Sequence, residues 1–207
     1  MTCGSGRGAV AAYNRPMHRS PTDLSPTARR TRRVIVEAAI ETLAGDTSAT
    51  LAEIAKAGDV SRSTLHRHFT DRGDLLAAVD EECRVRFARA DEAARLGEGG
   101  ALKSLDRLAQ EYLGLGSVLG LVFADNALVD PDAWDEGEQR VQALLAVIVD
   151  GQENGEIDAE LTPDWVLTTF WVMLFGAWLS LKTGTSRRDV GVQLSRTLRR
   201  AVGAGAA

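Results

Sequence analysis

The chain has 207 residues, is 44% hydrophobic and 26% charged, and carries a formal net charge of −5. That balance excludes a fully disordered chain, and 20 Gly and 5 Pro without a fixed period exclude a collagen-like or low-complexity one. The charge is uneven: residues 1–80 hold 11 Lys and Arg against 9 Asp and Glu, whereas residues 81–207 hold 13 against 20.

Residues 1–24 show no periodicity and read as a flexible tail. The segment lacks an apolar stretch of signal-peptide length, so a cytoplasmic protein is expected. From Ser25 onward the signals are helical, and no stretch alternates over a strand's length. The fold class is therefore all-α, with about nine helices. Three prolines each follow a capping residue, in Ser25-Pro26, Asp130-Pro131 and Thr162-Pro163, which marks three helix starts.

The first helix covers about 26–44, with Ile35, Ala39 and Leu43 on one face. A second, about 51–57, opens on the capping box Thr50-Leu51-Ala52-Glu53. A third, about 61–68, begins at Ser61. The fourth, about 71–95, carries Leu75, Leu76, Val79, Cys83 and Phe87 inward. Further helices are expected near 101–114, 117–126, 131–153, 163–182 and 186–202. A helix-turn-helix unit over 25–75 and a larger helical unit over 76–203 follow from this order.

Residues 50–69, TLAEIAKAGDVSRSTLHRHF, place two short helices around a turn at Ala57-Gly58-Asp59. Such a pair presents its second helix to the major groove of DNA. Its outward face carries Ser61, Arg62, Ser63, Thr64, His66 and Arg67, side chains of base- and phosphate-bonding type. Thr50 caps a helix N-terminus able to hold a phosphate, and Arg72 opens the next helix beside it. Arg29, Arg30, Arg32 and Arg33 form a basic run suited to phosphate or the minor groove. His66 and His68 lie two apart and share no helix face, so no metal site is expected. Cys3 and Cys83 support neither a disulfide framework nor a zinc site, and no cofactor is expected.

These motifs carry a resemblance. Thr50, Ile54-Ala55, Val60-Ser61-Arg62-Ser63-Thr64-Leu65, His68-Phe69, Arg72 and Asp74-Leu75-Leu76 resemble the DNA-binding domain of the TetR family of transcriptional regulators. Two positions depart from the family pattern: Asp59 stands where Gly is usual in the turn, and His66 where Tyr is frequent. The resemblance implies a homodimeric regulator, expected to be a repressor, that binds a palindromic double-stranded DNA operator and answers to a small-molecule effector.

The later half holds most of the aromatics. Tyr112, Phe123, Trp134, Phe170, Trp171, Met173 and Phe175 are candidates to line an effector pocket for a hydrophobic ligand. Residues 165–181 contain no charge, but the run is short for a membrane span and starts on a helix cap. It reads as a helix buried on two sides. Leu167, Leu174, Trp178 and Leu181, with Val190, Leu194 and Leu198 of the last helix, are the expected dimer interface. Two alternatives remain: a ligand-independent architectural DNA-binding protein, and a nucleotide-binding enzyme using Gly114, Gly116 and Gly120. The glycine loop of such an enzyme needs a preceding strand, and helix-like sequence precedes this one.

Overall fold

A computed structural model describes residues 25–124, 128–129, 134 and 137–205. The tail expected over residues 1–24 and the Asp130-Pro131 cap lie outside the described residues. Among the described residues there are nine helices: α1 Pro26–Leu43, α2 Leu51–Ala57, α3 Arg62–His68, α4 Arg72–Ala94, α5 Ala101–Gly114, α6 Ser117–Ala124, α7 Gly137–Glu153, α8 Pro163–Lys182 and α9 Arg187–Val202.

Short polar side chains set the helix starts. Ser25, Ser61, Asp71, Thr162 and Ser186 each accept a backbone N–H three residues on, which satisfies a donor the helix itself leaves free. Pro26 and Pro163 sit in the first turns of α1 and α8. Glu53 N–H donates to Thr50 Oγ1 at 3.3 Å and Thr50 N–H donates to Glu53 Oε2 at 2.7 Å, completing the capping box.

One buried apolar cluster extends from Ile35 in α1 to Val202 in α9. α1 packs against α2, α4 and α6, and α4 against α5. α8 packs against α5, α7 and α9. In α4 the fully buried residues are Leu75, Val79, Cys83, Phe87 and Ala94, at helical spacing on one side.

The α7 start differs from the sequence expectation. Trp134 lies in a bend rather than in a helix beginning at Pro131, and the described helix begins at Gly137. The physical reason is that Trp134 is turned inward. Its Nε1–H donates to Asp80 Oδ1 at 3.0 Å and its ring packs 5.6 Å from that of Phe87.

Gly114, Gly116 and Gly120 form the α5–α6 junction, with no strand before them. Gly116 supplies a left-handed turn at φ 60°. A Cβ on Gly120 would come within 3.1 Å of the Trp178 ring, so the glycine admits the indole. This geometry excludes the dinucleotide-loop alternative.

Candidate nucleic-acid interface and aromatic cluster

α2 and α3 are held at their angle by the turn between them. Gly58 closes α2, and a Cβ there would lie 3.2 Å from that of Ala38 in α1. Asp59 then adopts φ 50°, the left-handed conformation that Asp tolerates better than most residues. Val60 N–H returns to Ala55 O at 2.9 Å, and Leu65 and Phe69 are sunk into the core. The opposite face of α3 is exposed: Arg62, Ser63, His66 and Arg67 reach solvent, and Thr64 is half-buried. Arg67 Nη2 donates to Thr64 Oγ1 at 3.1 Å, and Ser61 Oγ lies 2.9 Å from both Ser63 Oγ and Thr64 Oγ1. The face is thus a short, ordered row of hydroxyls beside two arginines and an imidazole.

The basic run on α1 divides. Arg29, Arg30 and Arg33 are exposed. Arg32 is half-buried, with its guanidinium carbon 4.2 Å from the centre of the Phe69 ring and Nη1 donating to His68 O at 3.2 Å. That carbonyl belongs to the last turn of α3, where no intrahelical donor is available. Burial lowers the Arg32 pKa, and burial first, then the charges of Arg32 and Arg67, lowers that of His68. The sequence held a signal for this: Arg32 lies three and seven residues before the buried Ile35 and Ala39, on the same face of α1. Arg72 also turns into the fold. Its Nη2 donates to Thr47 O at 2.8 Å and its Nη1 to Ala49 O, so it ties α4 to the loop that leads into α2.

In the other half, six of the seven candidate pocket residues join one aromatic cluster. Tyr112 stacks on Trp171 with centroids 5.5 Å apart and meets Phe170 at 6.4 Å, while Phe123 lies 6.5 Å from Trp171 and 5.2 Å from Phe175. Trp134 joins through Phe87, which lies 5.1 Å from Tyr112. Met173 instead lines a cavity of about 330 Å³ between α8 and α9, with Ala177, Ser180, Val190, Gln193 and Leu194 among its walls.

The sequence reading missed the charges inside the cluster. Tyr112 Oη–H donates to Asp91 Oδ1 at 2.5 Å, and Arg140 Nε–H donates to Asp91 Oδ2 at 2.7 Å. Burial, then the neighbouring carboxylate, holds the Tyr112 hydroxyl well above its ordinary pKa, so it remains a donor. The only local signal was a carboxylate one turn beyond a buried Phe87. Its partner lies 49 residues away on another helix.

Of the expected interface residues, Leu174, Val190, Leu194 and Leu198 are buried within the chain's own core, and Leu167, Trp178 and Leu181 are half-buried. The inner row of α8 is Val166, Phe170, Leu174 and Ala177. Left at the surface are Trp165 (60%), Val172 (63%), Phe175 (41%) and Leu179 (48%) of α8, with Val192 (53%) of α9. α8 has the length and mean hydropathy, 1.3, of a membrane span. Its inner row is nevertheless packed against α5, α7 and α9.

Residues 35–79 match the family described as "Bacterial regulatory proteins, tetR family". The HTH-type transcriptional repressor LfrR of Mycolicibacterium smegmatis is 30% identical over 175 residues, which cover 83% of this chain and 89% of that protein. The HTH-type transcriptional regulator NfxB of Pseudomonas aeruginosa is 27% identical over 62% of this chain and 70% of its own length. The crystal structure of LfrR from Mycobacterium smegmatis in complex with proflavine superposes with a TM-score of 0.61 at 28% identity, over 82% of this chain and 95% of that one. With its helix-turn-helix geometry and these relatives, the chain belongs to the TetR family of DNA-binding transcriptional regulators and is not an enzyme.

Proposed function

We propose that the protein is a cytoplasmic repressor that binds a palindromic operator as a homodimer and leaves it when a small molecule enters the C-terminal unit. The observation that carries this reading is the sidedness of α3. Leu65 and Phe69 anchor it while Arg62, Ser63, His66 and Arg67 are presented outward. In this reading residues 25–75 are the DNA-binding unit and 76–203 the effector and dimerisation unit. Arg62, Ser63 and Thr64 read bases, and Ser61, His66 and Arg67 hold the backbone. Thr50, with the exposed Arg29, Arg30 and Arg33, adds phosphate contacts.

The name of LfrR as a repressor supports the direction of regulation, and its complex with proflavine supports a small-molecule effector. Support for the dimer comes from the apolar side chains left exposed on α8 and α9, among them Val172, Phe175 and Leu179 at helical spacing on one side of α8. A two-fold axis through that face gives two α3 helices for two half-sites about one DNA turn, or a multiple of it, apart.

The test is selection of binding sites from random DNA by the purified chain at fixed, stated salt. A palindrome should be enriched, and Arg62→Ala with Thr64→Ala should abolish enrichment while the protein remains dimeric. Unchanged selection by that double variant would overturn the assignment of α3.

A further inference from the structure

We propose that α9 pairs antiparallel with α9 of a second copy about a two-fold axis between Val192 and Gln193, so that Asp189 faces Arg196 of the partner subunit. This rests on the dimer reading above and goes beyond it, because it fixes the register of the two copies and decides which chains can pair.

The buried side of α9 is Val190, Gly191, Leu194, Leu198 and Val202. At about 100° per residue, a stripe of Asp189, Val192, Gln193, Arg196 and Arg200 points the opposite way, and all five are exposed. Val192, at 53% exposure, is the apolar member at its middle. Asp189 and Arg196 flank that middle at equal distances, about 5 Å to either side along the helix and about 20° apart around it. Ser186 orients the carboxylate: its Oγ–H donates to Asp189 Oδ2 at 2.7 Å, and Asp189 N–H donates to Ser186 Oγ at 3.2 Å. Arg196 has neither hydrogen bond nor ion pair among the described residues.

A two-fold axis perpendicular to α9 reverses the stripe and lays Asp189 on Arg196 of the partner subunit, twice over. A parallel pair would set Asp189 against Asp189 of the partner subunit and Arg196 against the partner's Arg196, which like charges oppose. The stripe is therefore complementary to its own copy in one direction only, as an isologous contact requires. Arg188 and Arg199 lie about 90° from its centre line and project to the side. Exposed ion pairs add little affinity. The apolar side chains of α8 and Val192 supply the adhesion, and the charges select register and partner by excluding mismatched chains.

The test is sedimentation equilibrium at low salt, where surface charges are least screened, with native mass spectrometry of mixtures. Asp189→Arg and Arg196→Asp each create two like-charge pairs and should weaken the homodimer at least tenfold. Mixed together, these two variants should form a heterodimer at parental affinity, since both pairs are then opposite in sign. The chain carrying both changes should pair with itself and not with the parent. If either variant fails to fold by circular dichroism, Val192→Cys in a Cys3→Ser chain takes its place: mild oxidation should link it to a second copy, and Arg188→Cys in the same chain should stay unlinked. Reversal variants that dimerise like the parent, a mixture no tighter than its components, or equal linking at 188 and 192 would overturn the register and leave the dimer standing. A monomeric parent chain would overturn the dimer reading and the register with it.

Discussion

Arg32 offers the sharpest separation between a DNA contact and a part of the scaffold. Arg32→Met keeps the aliphatic stem and deletes the guanidinium that covers Phe69 at 4.2 Å and bonds His68 O at 3.2 Å. A partly exposed cation–π contact contributes about 0.5–1 kcal/mol. The hydrogen bond from a charged donor contributes about 1 kcal/mol after a discount for solvent at a half-buried site. The sum, about 1.5–2 kcal/mol, lowers Tm by about 3–8 °C for a chain of 207 residues. Both contacts hold the C-terminal end of α3, so operator affinity falls by about tenfold as the helix loses its fixed aim. The discriminating quantity is the slope of log K against log salt. A phosphate contact contributes about 0.9 to that slope, and a positioning residue contributes nothing. Binding isotherms across a salt series should therefore give parallel lines for the parent and Arg32→Met. Arg33→Met, which removes an exposed cation, should flatten the line by about 0.9 with little change in Tm. A flattened line for Arg32→Met would refute the positioning argument and return Arg32 to the DNA backbone.

Four further outcomes are expected. Asp59→Gly relieves the left-handed strain at φ 50° and should raise stability by up to about 1 kcal/mol in urea melts, whereas Asp59→Val should lower it. Burial and the arginines depress the His68 pKa, so the native state favours the neutral ring and the unfolded chain binds more protons. Its contribution is full above the unfolded value near about 6.5 and is lost as pH falls below it; His68→Gln should flatten the fall in Tm between pH 7 and 5. Val172→Asp with Leu179→Asp should give a folded monomer by light scattering and weaken operator binding at least tenfold, while a persisting dimer would move the interface elsewhere. Burial pushes the Cys83 thiol up to about 12, so a disulfide reagent should leave it unmodified until denaturant is added.

Local signals read well where the responsible interaction is itself local. The caps at Ser25, Ser61 and Thr162 and the Thr50–Glu53 box each involve residues three apart, and each appears in the structure. The turn at Asp59 was legible because few residue types accept its backbone conformation. Other features needed the third dimension. In α8 nearly every side chain is apolar, so spacing yields several equivalent stripes. Only the positions of α5, α7 and α9 select Val166, Phe170, Leu174 and Ala177 as the inner one. Arg32 was grouped with its basic neighbours by composition, although its spacing to Ile35 and Ala39 pointed inward. The Asp91–Arg140 pair and the Asp80–Trp134 bond join residues 49 and 54 apart. No periodicity within a helix encodes such pairings, because each depends on where the tertiary fold brings Trp134 and Arg140 relative to α4.

α4 is where these two kinds of information meet. Its first turns bury Leu75 and Val79 beside α1, and Arg86 pairs with Glu37 of α1 and with Glu82 at 2.8 Å. Farther along, Asp80, Phe87 and Asp91 belong to the aromatic cluster. Between Asp74 and Ala94 the helix contains neither Pro nor Gly, so it has no built-in kink. In the proposed mechanism a change at Asp91 would be passed along the helix as a rod. With 23 residues it is about 35 Å long. A tilt of about 10° about one end displaces the other by about 6 Å, more than the rise of about 3.4 Å per DNA base pair. In the proposed dimer that displacement would alter the spacing of the two α3 helices by more than one base step. Half-site spacing is fixed by the operator, so in the proposed dimer a small rearrangement at the aromatic cluster would make the two DNA contacts incompatible. In the proposed mechanism it is the stiffness of α4, and not the strength of any one bond along it, that would make the coupling effective.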